Sequence, residues 1–82
     1  MTLQNFLIIN GITPEVLVKY GEIAGKQTGE YPISRPLCAK VLSGKKITYS
    51  SQTRVMRAVV LYFRACGLDD KTIQAKVEQI QF

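Results

Sequence analysis

The 82-residue chain contains no histidine and no tryptophan, only two cysteines, and no acidic residue between positions 31 and 68. Without an imidazole there is no ordinary general base near neutral pH and no histidine metal ligand. Cys38 and Cys66 are 28 positions apart, so they form neither a CxxC redox pair nor part of a four-thiolate zinc site. The six carboxylates are dispersed, and only Asp69 and Asp70 are adjacent. We therefore expect no enzyme, no small-molecule substrate, no cofactor and no metal site.

Export and membrane signals are also missing. No basic residue precedes the first apolar run, which lasts about seven residues before Asn10-Gly11, too short for a signal peptide or a membrane span. Two cysteines in such a chain are most simply reduced core thiols. A chain of this length forms one domain that buries only about 60–65% of its unfolded surface. We expect a cytoplasmic protein without membrane contact, whose thin core a partner copy would help to stabilise.

The charge of the chain is unevenly distributed. Residues 31–68 hold seven basic and no acidic residues, whereas the other 44 residues hold four basic and six acidic ones. The local balance is therefore +7 against −2, which accounts for the net charge of +5. Such a field attracts polyanions, but basic surfaces also occur on proteins that bind none. Charge alone leaves both interpretations open.

Apolar spacing and capping residues predict five short helices and no strand, which is an all-α single domain over residues 1–82. Glycine is a weak helix former, so Gly21 and Gly25 leave the end of the second helix open between residues 20 and 26. Ser50 or Ser51 is expected to cap the fourth helix. The predicted helices cover about residues 3–10, 14 onward, 34–42, 51–66 and 71–79.

The third predicted helix has two different faces. At about 100° per residue, one face is apolar and the other is basic and small. The apolar face comprises Leu37, Cys38, Val41 and Leu42, and the opposite face comprises Arg35, Pro36, Ala39 and Lys40. A helix that enters the DNA major groove needs an apolar back, small residues for close approach, and Arg or Lys to reach guanine O6 and N7. An ordinary amphipathic surface helix with solvated charges fits the same pattern.

The segment after this helix is rich in lysine, hydroxyl and amide side chains. It contains Gly44-Lys45-Lys46, followed by Thr48, Ser50, Ser51 and Gln52. These groups at a helix start are typical of phosphate contacts, although the serines also suit a capping role.

Several short segments, taken in order, resemble the lambda-repressor/Cro-like (XRE-type) helix-turn-helix family over roughly residues 3–70. The segments are Gly11-Ile12-Thr13, Leu17 with Lys19-Tyr20-Gly21, Ile33-Ser34-Arg35, Val41-Leu42-Ser43-Gly44-Lys45 and Cys66-Gly67-Leu68. The resemblance implies a five-helix DNA-binding domain with a recognition helix at about residues 34–42.

The resemblance also implies roles for individual residues. Base contacts would come from Arg35, Pro36, Ala39 and Lys40, with Lys46 reaching the groove or the backbone. Phosphate contacts would come from Thr13, Ser43, Lys45 and Gln52, and position at helix starts adds Ser34, Thr48 and Ser51. In this family the last helix often dimerises. Here residues 69–82 carry the stripe Ile73, Val77, Ile80 and Phe82, which could equally pack on the chain's own core.

One departure from the family concerns the turn before the recognition helix. A helix-turn-helix usually has a turn of about three or four residues. Here residues 22–33 lie between Gly21 and Ser34, so either the second helix extends to about Lys26 before a loop, or the turn carries an insertion.

Together these features predict a small homodimeric regulator that binds double-stranded DNA in a sequence-specific manner, of the phage, plasmid or bacterial type. The alternative is a protein-interaction module, such as a small phage-type inhibitor or adaptor on a similar scaffold. RNA binding is a third hypothesis, but the chain lacks the aromatic pairs on a sheet that stack RNA bases.

Overall fold

A computed structural model describes residues 1–29 and 31–82 of the chain, and in that part all regular structure is helical. Its five helices are α1 (Leu3–Ile9), α2 (Pro14–Thr28), α3 (Arg35–Leu42), α4 (Tyr49–Ala65) and α5 (Asp70–Val77). An isolated parallel bridge between Thr2 and Gln81 brings the two ends of the chain together. The predicted all-α class is confirmed.

Each helix begins at a side chain that accepts a hydrogen bond from its first turn. The caps are Thr2, Thr13, Ser34, Thr48 and Asp69. The expected cap of α4 was wrong, because Thr48 Oγ1 accepts from the amide of Ser51 at 3.2 Å and the helix begins at Tyr49. Of the adjacent pair Asp69 and Asp70, Asp69 is the cap of α5 and Asp70 is its first residue.

Helix α2 continues to Thr28, through both glycines that made its end uncertain. Both are buried, and a Cβ at Gly21 would lie only 2.9 Å from each of three Ile33 side-chain carbons. The weak helix propensity of glycine is therefore outweighed by close packing of the segment that precedes α3. Of the two arrangements that the sequence left open, the structure has the extended helix followed by a loop.

Helix α2 packs along α4, α3 packs on α2 and α1, and α5 packs on α4. Phe6 of α1 and Phe63 of α4 meet edge to face with ring centroids 6.0 Å apart. Cys38 and Val41 of α3 are buried in the same core. The core therefore holds α3 by one face.

The apolar stripe of residues 69–82, on α5 and just after it, packs mainly on the chain's own core. Ile73 and Ile80 are 3% and 8% exposed, and Val77 packs partly buried against the same cluster. Phe82 is 68% exposed. The packing of Ile73 and Ile80 matches the alternative in which the stripe supports its own core, and homodimerisation stays a prediction.

Candidate nucleic-acid interface

The outer face of α3 is open to solvent. Arg35, Pro36, Ala39 and Lys40 are all exposed, while Cys38 and Val41 behind them are buried. This confirms the division into two faces that the sequence pattern predicted. A basic face with small residues between its charges is thus presented on a helix whose back is fixed.

The C-terminal end of α3 is held by a residue that the sequence did not single out. Gln4 Nε2 donates to the carbonyl of Leu42 at 2.9 Å. Gly44 has φ of +80°, and a Cβ there would lie 2.7 Å from Gln4 Oε1. Because Gln4 is 38 positions from Leu42, no local sequence signal could have indicated this contact.

Gly44 also closes α3 with a Schellman motif. The amide of Lys45 donates to the carbonyl of Lys40 at 3.0 Å, and the amide of Gly44 donates to Val41 at 3.1 Å. The chain therefore leaves the helix sharply, and Lys45 and Lys46 follow as exposed residues. Lys40, Lys45 and Lys46 form no ion pair with any carboxylate of residues 1–29 and 31–82.

Arg35 has an acidic neighbour that the sequence pattern did not reveal. Its Nη1 lies 3.8 Å from Oε1 of Glu15 in the first turn of α2, and both side chains are 69% exposed. An exposed ion pair of this length contributes at most about 1 kcal/mol. The guanidinium is therefore able to exchange Glu15 for another acceptor, while Glu15 places a negative charge beside the basic face.

Two of the capping hydroxyls have a proton to donate. Thr13 and Ser34 accept from the amides of Val16 and Leu37 at 3.3 and 3.2 Å. A hydroxyl that accepts a hydrogen bond still has one O–H to give, and no residue in the described part of the chain takes either proton. Both side chains are exposed at the ends of α2 and α3 that approach Arg35 and Glu15.

Other hydroxyls near the basic stretch are engaged within the chain. Ser51 is 8% exposed, and its Oγ accepts from Thr48 Oγ1 and from Arg54 Nη2, each at 3.0 Å. The Ser51 hydroxyl is therefore engaged within the chain, and its expected phosphate contact stays a prediction. Ser43 Oγ donates to the carbonyl of Lys40 at 2.9 Å, and Gln52 is half-buried.

The arginines of α4 differ in their surroundings. Arg54 is half-buried and held by Ser51, whereas Arg64 is exposed and its Nε donates to Asp70 Oδ1 at 3.0 Å. The Arg64 pair links α4 to α5 across the solvent surface. Arg57 is half-buried on the same helix.

The described part of the chain contains no group of three or more Cys, Asp or Glu side chains that could hold a metal ion. Burial raises the pKa of the Cys38 thiol, which lies in the core, while Cys66 is exposed. Among the described residues, no helix is long and apolar enough to cross a membrane.

Comparison of the chain with protein-family models, curated proteins and solved structures finds no match. The candidate interface comprises the exposed face of α3, the two lysines that follow it, and the hydroxyls of Thr13 and Ser34 at the starts of α2 and α3.

Proposed function

We propose that the protein is a sequence-specific regulator that binds double-stranded DNA with the outer face of α3 in the major groove. One observation carries the proposal: Arg35 and Lys40 are exposed on either side of Ala39, on a helix whose opposite face is buried in the core. A rigid helix with small residues between two cations suits close approach to base edges. The acid-free stretch of residues 31–68 supplies the field that attracts DNA.

In this proposal the residues divide between bases and phosphates. Arg35 donates hydrogen bonds from its two terminal nitrogens to O6 and N7 of a guanine, and Lys40 contacts the next bases along the groove. Lys45 and Lys46 bind phosphates by charge, and Thr13 and Ser34 donate their hydroxyl protons to phosphate oxygens. Occupancy of an operator would then block or recruit polymerase, with two half-sites if the protein dimerises.

The connection between α2 and α3 distinguishes this arrangement from a tight helix-turn-helix. The loop after Thr28 is longer than the usual turn, so the turn itself does not fix the angle of α3. In this proposal α3 is oriented instead by two contacts, the packing of Ile33 on Gly21 and the hydrogen bond from Gln4 to the carbonyl of Leu42. We therefore propose a variant helix-turn-helix in which tertiary contacts orient the recognition helix.

Selection of duplexes from a random-sequence library, followed by gel shift over a series of salt concentrations, tests the proposal. We expect a preferred sequence and a log K that falls by about 0.9 per phosphate contact with log salt. Arg35→Ala should cost about 1–3 kcal/mol on the preferred duplex and relax its sequence preference. Lys45→Ala should weaken all duplexes alike and lower the salt slope by about 0.9.

Lys71→Ala is the matched control, because Lys71 is an exposed lysine on α5 outside the basic stretch. It should leave both the affinity and the salt slope near their wild-type values. If Arg35→Ala binds and discriminates like the wild type, α3 does not contact the bases.

A second candidate function rests on an apolar groove between α2 and α4. The groove has a volume of about 510 Å³ and is lined in part by Ala24, Met56, Val60, Leu61 and the exposed Phe82. Grooves of this kind accept an apolar helix face, as a protein-interaction module would require. Binding to a protein partner together with no duplex affinity at low salt would favour this function over DNA binding.

A further inference from the structure

Two strongly exposed tyrosines lie before and after α3 in the chain. Tyr31 is 85% and Tyr49 is 83% exposed, the highest values among the large apolar and aromatic side chains of the described residues. Both line one cleft of about 600 Å³, together with Gly29, Ser50, Thr53 and Arg54. Aromatic residues in such positions are enriched at binding surfaces, where the ring packs and the hydroxyl bonds.

The chemistry of this tyrosine cleft favours an anion. Among the described residues, its lining comprises one cation, Arg54, several hydroxyl groups and no carboxylate. Arg54 is fixed by its 3.0 Å bond to the buried Ser51, so its charge has a defined place. Thr53 Oγ1 donates to the carbonyl of Tyr49 at 3.1 Å, whereas Tyr31 and Tyr49 are both strongly exposed and their hydroxyls are donors that a ligand can use.

The tyrosine cleft is also close to the proposed base-contacting face. Tyr31 precedes Arg35 by four positions, so their Cα atoms are at most about 13–14 Å apart. That upper bound corresponds to about four base-pair steps of 3.4 Å along a duplex, so the two residues lie within reach of neighbouring base pairs. Tyr49 follows Lys46 by three positions, so the cleft joins both flanks of the α3 segment.

We propose that the tyrosine cleft binds the sugar–phosphate backbone of the DNA duplex beside the bases that α3 contacts, an inference that rests on the proposed function. The Tyr31 and Tyr49 hydroxyls donate to phosphate oxygens, and Arg54 supplies the opposite charge. Contacts of this kind position the duplex and add affinity without base preference.

Because the chain has no tryptophan, its intrinsic fluorescence comes from its four tyrosines, two of which line the cleft. The probes are the duplex selected from the random library, the same duplex with its flanks trimmed to the preferred core, and one of its separated strands. The full chain is compared with the double variant Tyr31→Phe/Tyr49→Phe. Tyr20→Phe is the control, since Tyr20 is half-buried and packs on Tyr62 with ring centroids 5.6 Å apart.

The double variant should bind the long duplex about tenfold more weakly than the wild type, which corresponds to about 1.4 kcal/mol, with unchanged base preference and salt slope. The trimmed duplex should bind wild type and double variant equally, and Tyr20→Phe should behave as wild type throughout.

Three results overturn the inference. If the double variant binds and discriminates like the wild type, the cleft is not a DNA contact although the proposed function stands. If the single strand binds more tightly than the duplex and quenches more, the cleft holds unstacked bases instead. If the wild type binds no duplex at all, the proposed function fails together with the inference.

Discussion

Replacement of Gly21 by alanine tests how α3 is oriented. In an exposed helix, Gly→Ala stabilises by about 1 kcal/mol, so sequence rules alone predict a more stable protein. In this structure the added methyl would lie 2.9 Å from Cβ, Cγ1 and Cδ1 of Ile33. Ordinary carbon–carbon contacts are about 3.5–4.0 Å, so Ile33 would have to move by at least about 0.6 Å.

The magnitude follows from the balance of these two effects. Overpacking a well-filled core typically costs about 1–3 kcal/mol, and the helix-propensity gain offsets about 1 kcal/mol of it. We expect Gly21→Ala to lower the free energy of unfolding by up to about 2 kcal/mol. Since Ile33 directly precedes the Ser34 cap, the variant should also bind the selected duplex more weakly at temperatures where it remains folded.

Urea unfolding followed by far-UV circular dichroism measures the effect. The control is Ile33→Val, which removes Cδ1, one of the three crowded atoms, at a cost of about 0.5–1.5 kcal/mol. Gly21→Ala should be less destabilising in the Ile33→Val background than in the wild type. An increase in stability on Gly21→Ala alone would refute the close packing of α2 against the segment before α3.

Three further predictions follow from individual contacts. Glu15→Gln should raise duplex affinity by up to about fivefold at low salt, because it removes the carboxylate 3.8 Å from Arg35; gel shift showing equal or weaker binding would contradict this. Cys66 should react with a thiol reagent in the native protein, while Cys38 should react only on unfolding, because it is buried and its pKa is raised; equal rates would show that the core is open. Hydrogen bonds from Thr72 lower the pKa of the Asp69 cap, so its stabilising effect should be present above about pH 4 and lost as the pH falls through the folded-state pKa. The stability difference from Asp69→Ala, measured by thermal unfolding, should therefore shrink in acid, and a constant difference would count against the cap.

The sequence predicted the helices well where local chemistry decides them. Thr13 with Pro14 and Ser34 with Pro36 mark helix starts, and the placement of Cys38 and Val41 one helical turn apart identified the buried face of α3. The start of α4 was placed two residues late, because Thr48, Ser50 and Ser51 each suit a cap and only the fold selects Thr48.

Features that depend on distant contacts could not be predicted in this way. Gly21 suggested a weak helix, yet its missing side chain is what lets Ile33 pack, and that contact joins two segments 12 positions apart. Gln4 and Glu15 are unremarkable in the sequence, since their proximity to Leu42 and Arg35 exists only in the folded chain. The burial of Ser51 likewise depends on the packing of α4 and could not be predicted from its place in a polar run of the sequence.

The central claim, that Arg35 on α3 contacts a base, is tested most directly by a cycle between protein and DNA variants. Each base pair of the selected duplex is changed in turn, and the dissociation constant is measured for the wild type and for Arg35→Ala. For the wild type, we predict that changing one particular guanine weakens binding by about 1–3 kcal/mol. In Arg35→Ala this loss of binding free energy should be absent, whereas the losses at the other positions should remain. If each base-pair change weakens binding by the same amount in the wild type and in Arg35→Ala, Arg35 does not contact a base and the proposed recognition helix is wrong.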